Sequence, residues 1–79
     1  MKQIIFIQHA ADRLKERGIS EDLVKETIRN PEKIDLKHER KIVQKLIDGM
    51  LLRVIYEEEE AIVVISDYRT SQVDRYLKG

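Results

Sequence analysis

The sequence predicts a single α+β domain, in which an N-terminal helical hairpin packs on an antiparallel sheet of three or four strands. Two observations support this prediction. Apolar residues recur with a helical period before Pro31 and with a strand-like period after it. Asp48-Gly49, between two β-rich runs, is typical of a two-residue hairpin turn. With 79 residues the chain has room for one hydrophobic core, so residues 1–79 are expected to form one domain.

Two helices are predicted in the first part of the chain. Residues 4–7 form a short β-type run, which we interpret as a strand that can precede the helices. Residues 9–17 follow with helical periodicity, and Gly18 is a typical residue for a helix end. Ser20 is a good N-cap for a second helix, which Pro31 terminates. The predicted core contains Ile7, Ala10, Leu14, Leu23, Ile28, Val54, Ile62 and Val64.

Strands are predicted for most of the remaining chain. Residues 40–47 and 50–57 should pair through the Asp48-Gly49 turn, after a short strand around Ile34 and Leu36. Residues 61–68 are the most apolar run, so we expect the central strand there, covered on both faces. The four glutamates before it are interpreted as a solvated turn, and the polar tail as a last edge strand or a helical turn.

Composition limits the classes of function. Fifteen basic and fifteen acidic residues give zero net charge, which argues against strong non-specific nucleic-acid binding. Charged residues make up 38% of the chain, with Lys, Arg and Glu dominant, a composition typical of thermophile proteins. The absence of cysteine excludes disulfides and zinc–thiolate sites. No apolar run approaches the roughly 20 residues that span a bilayer, so no membrane association and a cytoplasmic location are expected.

A row of polar residues follows one edge of the first predicted helix. His9, Arg13 and Arg17 recur at one-turn spacing, so their side chains should lie on the same edge. In a functional interpretation they form a proton-exchanging group and a phosphate clamp. In a structural interpretation His9 bonds to the backbone, and the arginines pair with carboxylates while their stems lie on the core.

Three further candidates lie late in the chain. Arg53 interrupts an apolar strand, so it should be paired or should line a concave site. Tyr68 and Tyr76 could donate a proton or stack on a base, or they could simply pack at a sheet edge. His38 lies in a charged segment and is expected to be solvated. Neither it nor His9 is expected to bind zinc, and no metal or cofactor is predicted.

Several of these residues also carry a family resemblance. They are His9-Ala10, Arg13, Arg17-Gly18-Ile19-Ser20, Val24, Asn30-Pro31, Asp48-Gly49, Leu51-Leu52-Arg53-Val54, Ile65 and Tyr68. Together they resemble a bacterial and archaeal domain-of-unknown-function family that is similar to the RelE/ParE-type toxins of toxin–antitoxin systems. The resemblance implies a helical hairpin on an antiparallel sheet, an antitoxin-like protein partner, and action on RNA or the ribosome. The superfamily contains metal-free messenger-RNA endonucleases and gyrase inhibitors along with members of no established activity, and the resemblance leaves these alternatives open. Toxins of this type are strongly basic, whereas this chain is neutral.

Two hypotheses about function follow. In the first, the chain is a toxin-like, metal-independent endoribonuclease. In the second, it is a non-catalytic protein-interaction module with the same fold; a homo-oligomer is compatible with either. The first hypothesis predicts that His9, Arg13, Arg17 and Arg53 face one electropositive cleft, which Tyr68 or Tyr76 borders.

Overall fold

A computed structural model of the chain describes residues 2–77. Helices and strands are interleaved, with a strand before the helical pair and a short helix after the last strand. In chain order the elements are β1 (Ile4–Phe6), α1 (Gln8–Arg17), α2 (Glu21–Arg29), β2 (Lys33–Lys37), β3 (Arg40–Ile47), β4 (Met50–Glu58), β5 (Ile62–Thr70) and α3 (Val73–Leu77). The predicted α+β class is therefore correct. No helix within residues 2–77 is long and apolar enough to cross a membrane.

The sheet has five strands in the order β1-β5-β4-β3-β2, and it is mixed. β2 to β5 are joined in antiparallel pairs, whereas β1 pairs with β5 in parallel, from Ile4 opposite Ile62 to Phe6 opposite Val64. The prediction of a purely antiparallel sheet of three or four strands was thus incomplete. The prediction that residues 61–68 form the central strand was wrong, because β4 lies at the centre. A parallel pair needs a long crossover, which the sequence between β1 and β5 supplies.

The core lies where α1 meets β5 and α2 meets β3 and β4. Ala10 and Leu14 of α1 and Val24 of α2 are buried in one apolar cluster with the even-numbered residues of β4 and with Ile62 and Val64 of β5. Ile7 and Ile28 are partly buried, but Leu23 is 37% exposed, contrary to its predicted place in the core. The buried stripe of α2 runs through positions 24, 27 and 28, and position 23 falls at its edge.

A β-bulge changes the direction of side chains within β5. Tyr56 is opposite Val64, but the preceding residue Ile55 is opposite Ser66, so Ile65 is an extra residue on β5. Side chains on a strand alternate between its two faces, and one extra residue inverts that alternation. Ile62 and Val64 face the core before the bulge, and after it the odd-numbered residues face the same side. The bulge therefore decides which face each later residue of β5 occupies.

The glutamate run is divided between a strand and a turn. Glu57 and Glu58 belong to β4, where Glu57 pairs with Arg40 at 3.1 Å and Glu58 with Lys41 at 2.8 Å. The interpretation of all four glutamates as a turn was therefore wrong for these two. On β3, Arg40 lies directly opposite Glu57, and Lys41 lies opposite Tyr56 and reaches Glu58 diagonally, so β3 supplies a cation to each carboxylate.

Asp48 and Gly49 form the predicted two-residue turn between β3 and β4, with φ values of 52° and 79°. We expect Gly49→Val to lower the free energy of unfolding by roughly 1–2 kcal/mol or more, because a β-branched residue resists this left-handed region. No atom lies within 4 Å of the position that a Cβ would take, so the backbone alone would cause the loss. Thermal denaturation beside Gly49→Asn, which tolerates this region, checks the assignment. An unchanged melting temperature in Gly49→Val would contradict it.

Candidate active site between helix α1 and strand β5

Helix α1 directs three cationic side chains along one edge of its contact with β5. Ala10 and Leu14 fix the rotation of the helix, since both are buried against the sheet. This rotation leaves His9 exposed and Arg13 and Arg17 half-buried. No hydrogen bond or ion pair with another described residue holds the His9 or Arg13 side chain. The row predicted from the sequence therefore exists, and two of its members are free to bind a ligand.

A carboxyl group lies beneath this row. Asp67 of β5 is fully buried, and neither of its carboxylate oxygens has a hydrogen-bond partner within residues 2–77. Its strand neighbour Val54 belongs to the core, so the Asp67 side chain lies on the helical side of the sheet. An unpaired buried carboxyl group is costly, and such groups are rare unless they have a role.

Burial raises the pKa of Asp67 from 3.8 to about 6. The positive charges of Arg17, Arg13 and His9, in decreasing order, oppose this rise. The three side chains are therefore close enough to act on the carboxyl group, although no contact with it is made. Near neutral pH the cluster holds an ionised carboxylate below two permanent positive charges and an imidazole ring.

Two reciprocal contacts fix the C-terminal end of the row. Arg17 Nη1 donates a hydrogen bond to the main-chain oxygen of Asp67 at 3.0 Å. In return, Arg69 Nη2 donates to the main-chain oxygen of Arg17 at 2.7 Å, at the end of α1. β1 pairs with β5 only as far as Val64, which leaves the edge of β5 open to these arginines. Arg17 thus has a structural contact as well as its place in the row.

The remaining candidates form a second cluster on the opposite face of the sheet. Arg53 is opposite Tyr68 on the neighbouring strand and donates a hydrogen bond to its hydroxyl group. The guanidinium carbon of Arg53 lies 3.9 Å from the centre of the Tyr76 ring and 5.4 Å from that of Tyr68. Burial raises the pKa of the Tyr68 hydroxyl, and the positive charge of Arg53 opposes this rise. Arg53 is therefore clamped between two tyrosines, which attaches α3 to the sheet.

The six candidate residues do not share one cleft. Arg53 and Val54 are consecutive in β4, so their side chains point to opposite faces, and their partners Tyr68 and Asp67 are separated in the same way. His9, Arg13 and Arg17 lie with Asp67 on the helical side. The prediction of a common cleft was wrong in its geometry, because α1 covers one face of the sheet while α3 lies over the other.

Asp67 was missed in the sequence, and the reason is the bulge in β5. Ile62 and Val64 face the core, and regular alternation from them would direct position 67 away from the helices. The extra residue at Ile65 reverses this, so that Asp67 points under α1 and Tyr68 points outward. A carboxylate directly after the most apolar run was the available signal. The face of the sheet that Asp67 occupies could not be deduced from the two-residue alternation of the strand.

Concavities elsewhere on the surface carry charge of their own, and the concavity beside Lys2, Lys25 and Arg29 is cationic as well. Another, of about 540 Å³, lies at the β2–β3 hairpin, beside His38, Glu39, Arg40 and Glu57. There Arg40 is paired with Glu57, so its positive charge is largely neutralised. Within residues 2–77, no three His, Asp or Glu side chains are grouped as a metal ion would require.

Comparison with known proteins shows the family of the chain. The sequence model of a family described as "Domain of unknown function (DUF4258)" matches residues 6–69, so the chain belongs to this family. The match includes α1, the bulge and Asp67, and it ends before α3. No curated protein and no solved structure matches the chain. Nothing in these comparisons links the family to the RelE/ParE-type toxins.

Proposed function

We propose that this chain is a toxin-like, metal-independent endoribonuclease whose site is formed by His9, Arg13, Arg17 and Asp67. The observation that carries the proposal is the fully buried, unpaired carboxyl group of Asp67 beneath three cationic side chains of α1. A strongly perturbed acid beside specific charge partners is a typical feature of functional sites. The substrate class, RNA, comes from the family resemblance.

The site can hold a phosphodiester although the whole chain is neutral. At physiological salt a local field acts over about 10 Å, so concentrated charge matters more than net charge. The positive charges of Arg13 and Arg17 together outweigh the single negative charge of Asp67. The forked guanidinium group of Arg13 can bind two phosphate oxygens at once. The edge of α1 is therefore a suitable place for the backbone of a single RNA strand.

Each side chain has a role that fits its exposure. His9, which is exposed, accepts the proton of the ribose 2′-hydroxyl as the 2′-oxygen attacks phosphorus. A new bond forms between the 2′-oxygen and phosphorus, and the bond to the 5′-oxygen breaks. The leaving 5′-oxygen takes a proton from water, which yields a 2′,3′-cyclic phosphate and a 5′-hydroxyl. Arg13 and Arg17 stabilise the charge that develops on the phosphoryl oxygens.

Asp67 is too deeply buried to touch the substrate, so we assign it as a positioning residue. In its ionised form it attracts the three cationic groups and holds them along one edge of α1. Protonation would remove this attraction. In this proposal the cluster of Arg53, Tyr68 and Tyr76 on the other face maintains the fold and takes no part in the reaction.

The test is the cleavage of single-stranded RNA, free and on ribosomes, by the purified protein in excess EDTA. We expect cleavage to persist in EDTA and to fall at least ~100-fold in His9→Ala and Arg13→Ala, because each removes a direct contact to the reacting group. Lys15→Ala is the matched control, since Lys15 is an exposed cation on the same helix but outside the row. Absence of cleavage, or equal loss in Lys15→Ala, would contradict the proposal.

A second candidate function is a non-catalytic interaction module, bound by another protein such as an antitoxin-like partner. The observation that favours it is the zero net charge of the chain, which argues against binding to RNA. A folded protein that neither cleaves nor binds RNA in the assay above would support this function.

A further inference from the structure

We infer that this chain forms a two-fold symmetric dimer through strand β2, which pairs with β2 of a second copy to make one continuous ten-stranded sheet. The inference is independent of the proposed nuclease activity. It depends on the open edge of the sheet, on the side chains exposed there and on the symmetry of the strand's own sequence.

Strand β2 is a short edge strand with a lysine at each end, and it lacks the proline and the bulge that also protect edges. Within residues 2–77 it pairs with β3 on one side and with no strand on the other. An open edge presents unpaired main-chain groups and is a template for pairing with another chain. The five residues of β2 contain no proline and show no bulge against β3. The edge is therefore accessible to a partner strand.

Apolar side chains overhang this edge on the helical side. Ile34 is 58% exposed and Leu36 is 72% exposed, although Ile34 is opposite the fully buried Val43. Helix α2 packs over β3 and β4, and it leaves these two side chains largely uncovered. They form an apolar strip parallel to the edge. A partner strand that extended the sheet would bury this strip and release the water around it.

Two of the three charged side chains of β2 make hydrogen bonds over the other face of the sheet, and Lys37 is exposed at its end. Lys33 Nζ donates to the main-chain oxygen of Tyr76 at 2.8 Å, and Asp35 accepts a hydrogen bond from Gln44 Nε2 at 3.0 Å. Charges on an edge strand can block pairing when they project across it. These two are turned inward, so they leave the outer main-chain groups clear.

The sequence of β2 is complementary to itself, which selects a second copy as the partner. Lys33-Ile34-Asp35-Leu36-Lys37 has the same pattern of charge and polarity in both directions. Antiparallel pairing centred on Asp35 places Ile34 of each copy opposite Leu36 of the other. The two pairs bring four apolar side chains into one cluster. Asp35 then faces Asp35 and Lys33 faces Lys37 of the other copy, and each Asp35 also lies diagonally between the two lysines, whose attraction offsets these like-charge pairs. Such an interface is isologous, and it closes at two copies.

The first test is the oligomeric state of the full chain by analytical ultracentrifugation over a range of concentrations. We expect a dimer whose dissociation constant is weakened roughly tenfold or more by Leu36→Lys, because the lysine replaces a central apolar contact. Leu46→Lys is the matched control: Leu46 is 43% exposed but lies on β3 and on the other face of the sheet. A monomer at all concentrations, or equal effects of the two variants, would overturn the inference.

The second test fixes the register and does not depend on weakening the dimer. The chain has no cysteine, so a single introduced thiol can cross-link only to the same position of another copy. Oxidation should cross-link Asp35→Cys efficiently, because position 35 lies on the two-fold axis and faces itself. Lys37→Cys should cross-link poorly, because position 37 of one copy lies several residues along the strand pair from position 37 of the other. Cross-linking of Lys37→Cys in preference to Asp35→Cys would overturn the proposed pairing.

Discussion

Replacing Leu14 with alanine is expected to lower the free energy of unfolding by about 2–5 kcal/mol, the cost of a buried cavity together with lost apolar transfer. Leu14 is 4% exposed and lies in the cluster that joins α1 to β5. Its removal should loosen the helix that carries the candidate site. Urea denaturation measures the loss.

The control for Leu14→Ala is Leu36→Ala, because Leu36 is 72% exposed and should contribute little to the stability of the monomer. Both variants are measured at a concentration where the chain is monomeric. A loss below about 1 kcal/mol in Leu14→Ala would show that α1 does not pack as described.

Replacing Asp67 with asparagine is expected to stabilise the fold at pH 7 by about 1–3 kcal/mol, since it removes a buried charge that has no partner. The shift in the pKa of Asp67 also fixes the direction in which the free energy of unfolding changes with pH. The folded pKa is raised from 3.8 to about 6, so the native state binds the proton more tightly than the unfolded state does. Wild-type stability should therefore fall as pH rises from about 4 to about 6 and then level off, and Asp67→Asn should lack this fall.

Asp48→Asn is the matched control for this titration. Asp48 is exposed at the hairpin turn, and asparagine tolerates its positive φ. Its stability curve should follow that of the wild type between pH 4 and 8. If Asp67→Asn also followed the wild type, then Asp67 would not be an unpaired buried acid.

Stabilisation by Asp67→Asn together with loss of activity would show that the carboxyl group is retained for function at a cost in stability. Proteins commonly accept such a cost at functional sites. A variant that loses both stability and activity would indicate a structural role for Asp67.

Local signals in the sequence were sufficient for most of the secondary structure. Ser20 accepts a hydrogen bond from the main-chain N–H of Leu23 at 3.1 Å, as expected of an N-cap, and Gly18 ends α1 with φ of 63°. Strand β3 has the predicted bounds, and its turn to β4 is the predicted one. These features depend on residues that are close in sequence, where the stereochemistry of single residues decides the outcome.

Long-range pairing could not be predicted in the same way. Nothing local in residues 4–6 indicates that β1 pairs in parallel with β5, because this pairing joins positions near the two ends of the chain. The same limit affected the site. The row on α1 follows from helical spacing, whereas the place of Asp67 depends on one extra residue, Ile65, in the pairing of β5 with β4.

The most direct test of the central claim, that Asp67 supports RNA cleavage by the cationic row on α1, is the pH dependence of kcat/KM in EDTA for the wild type and Asp67→Asn. We predict that wild-type cleavage falls as pH drops, because Asp67, whose pKa is raised to about 6, takes up a proton and because the general base His9 must be unprotonated. Asp67→Asn should be slower at pH 7 and should have a changed acid limb, while remaining folded. Superimposable profiles with equal rates would contradict the claim.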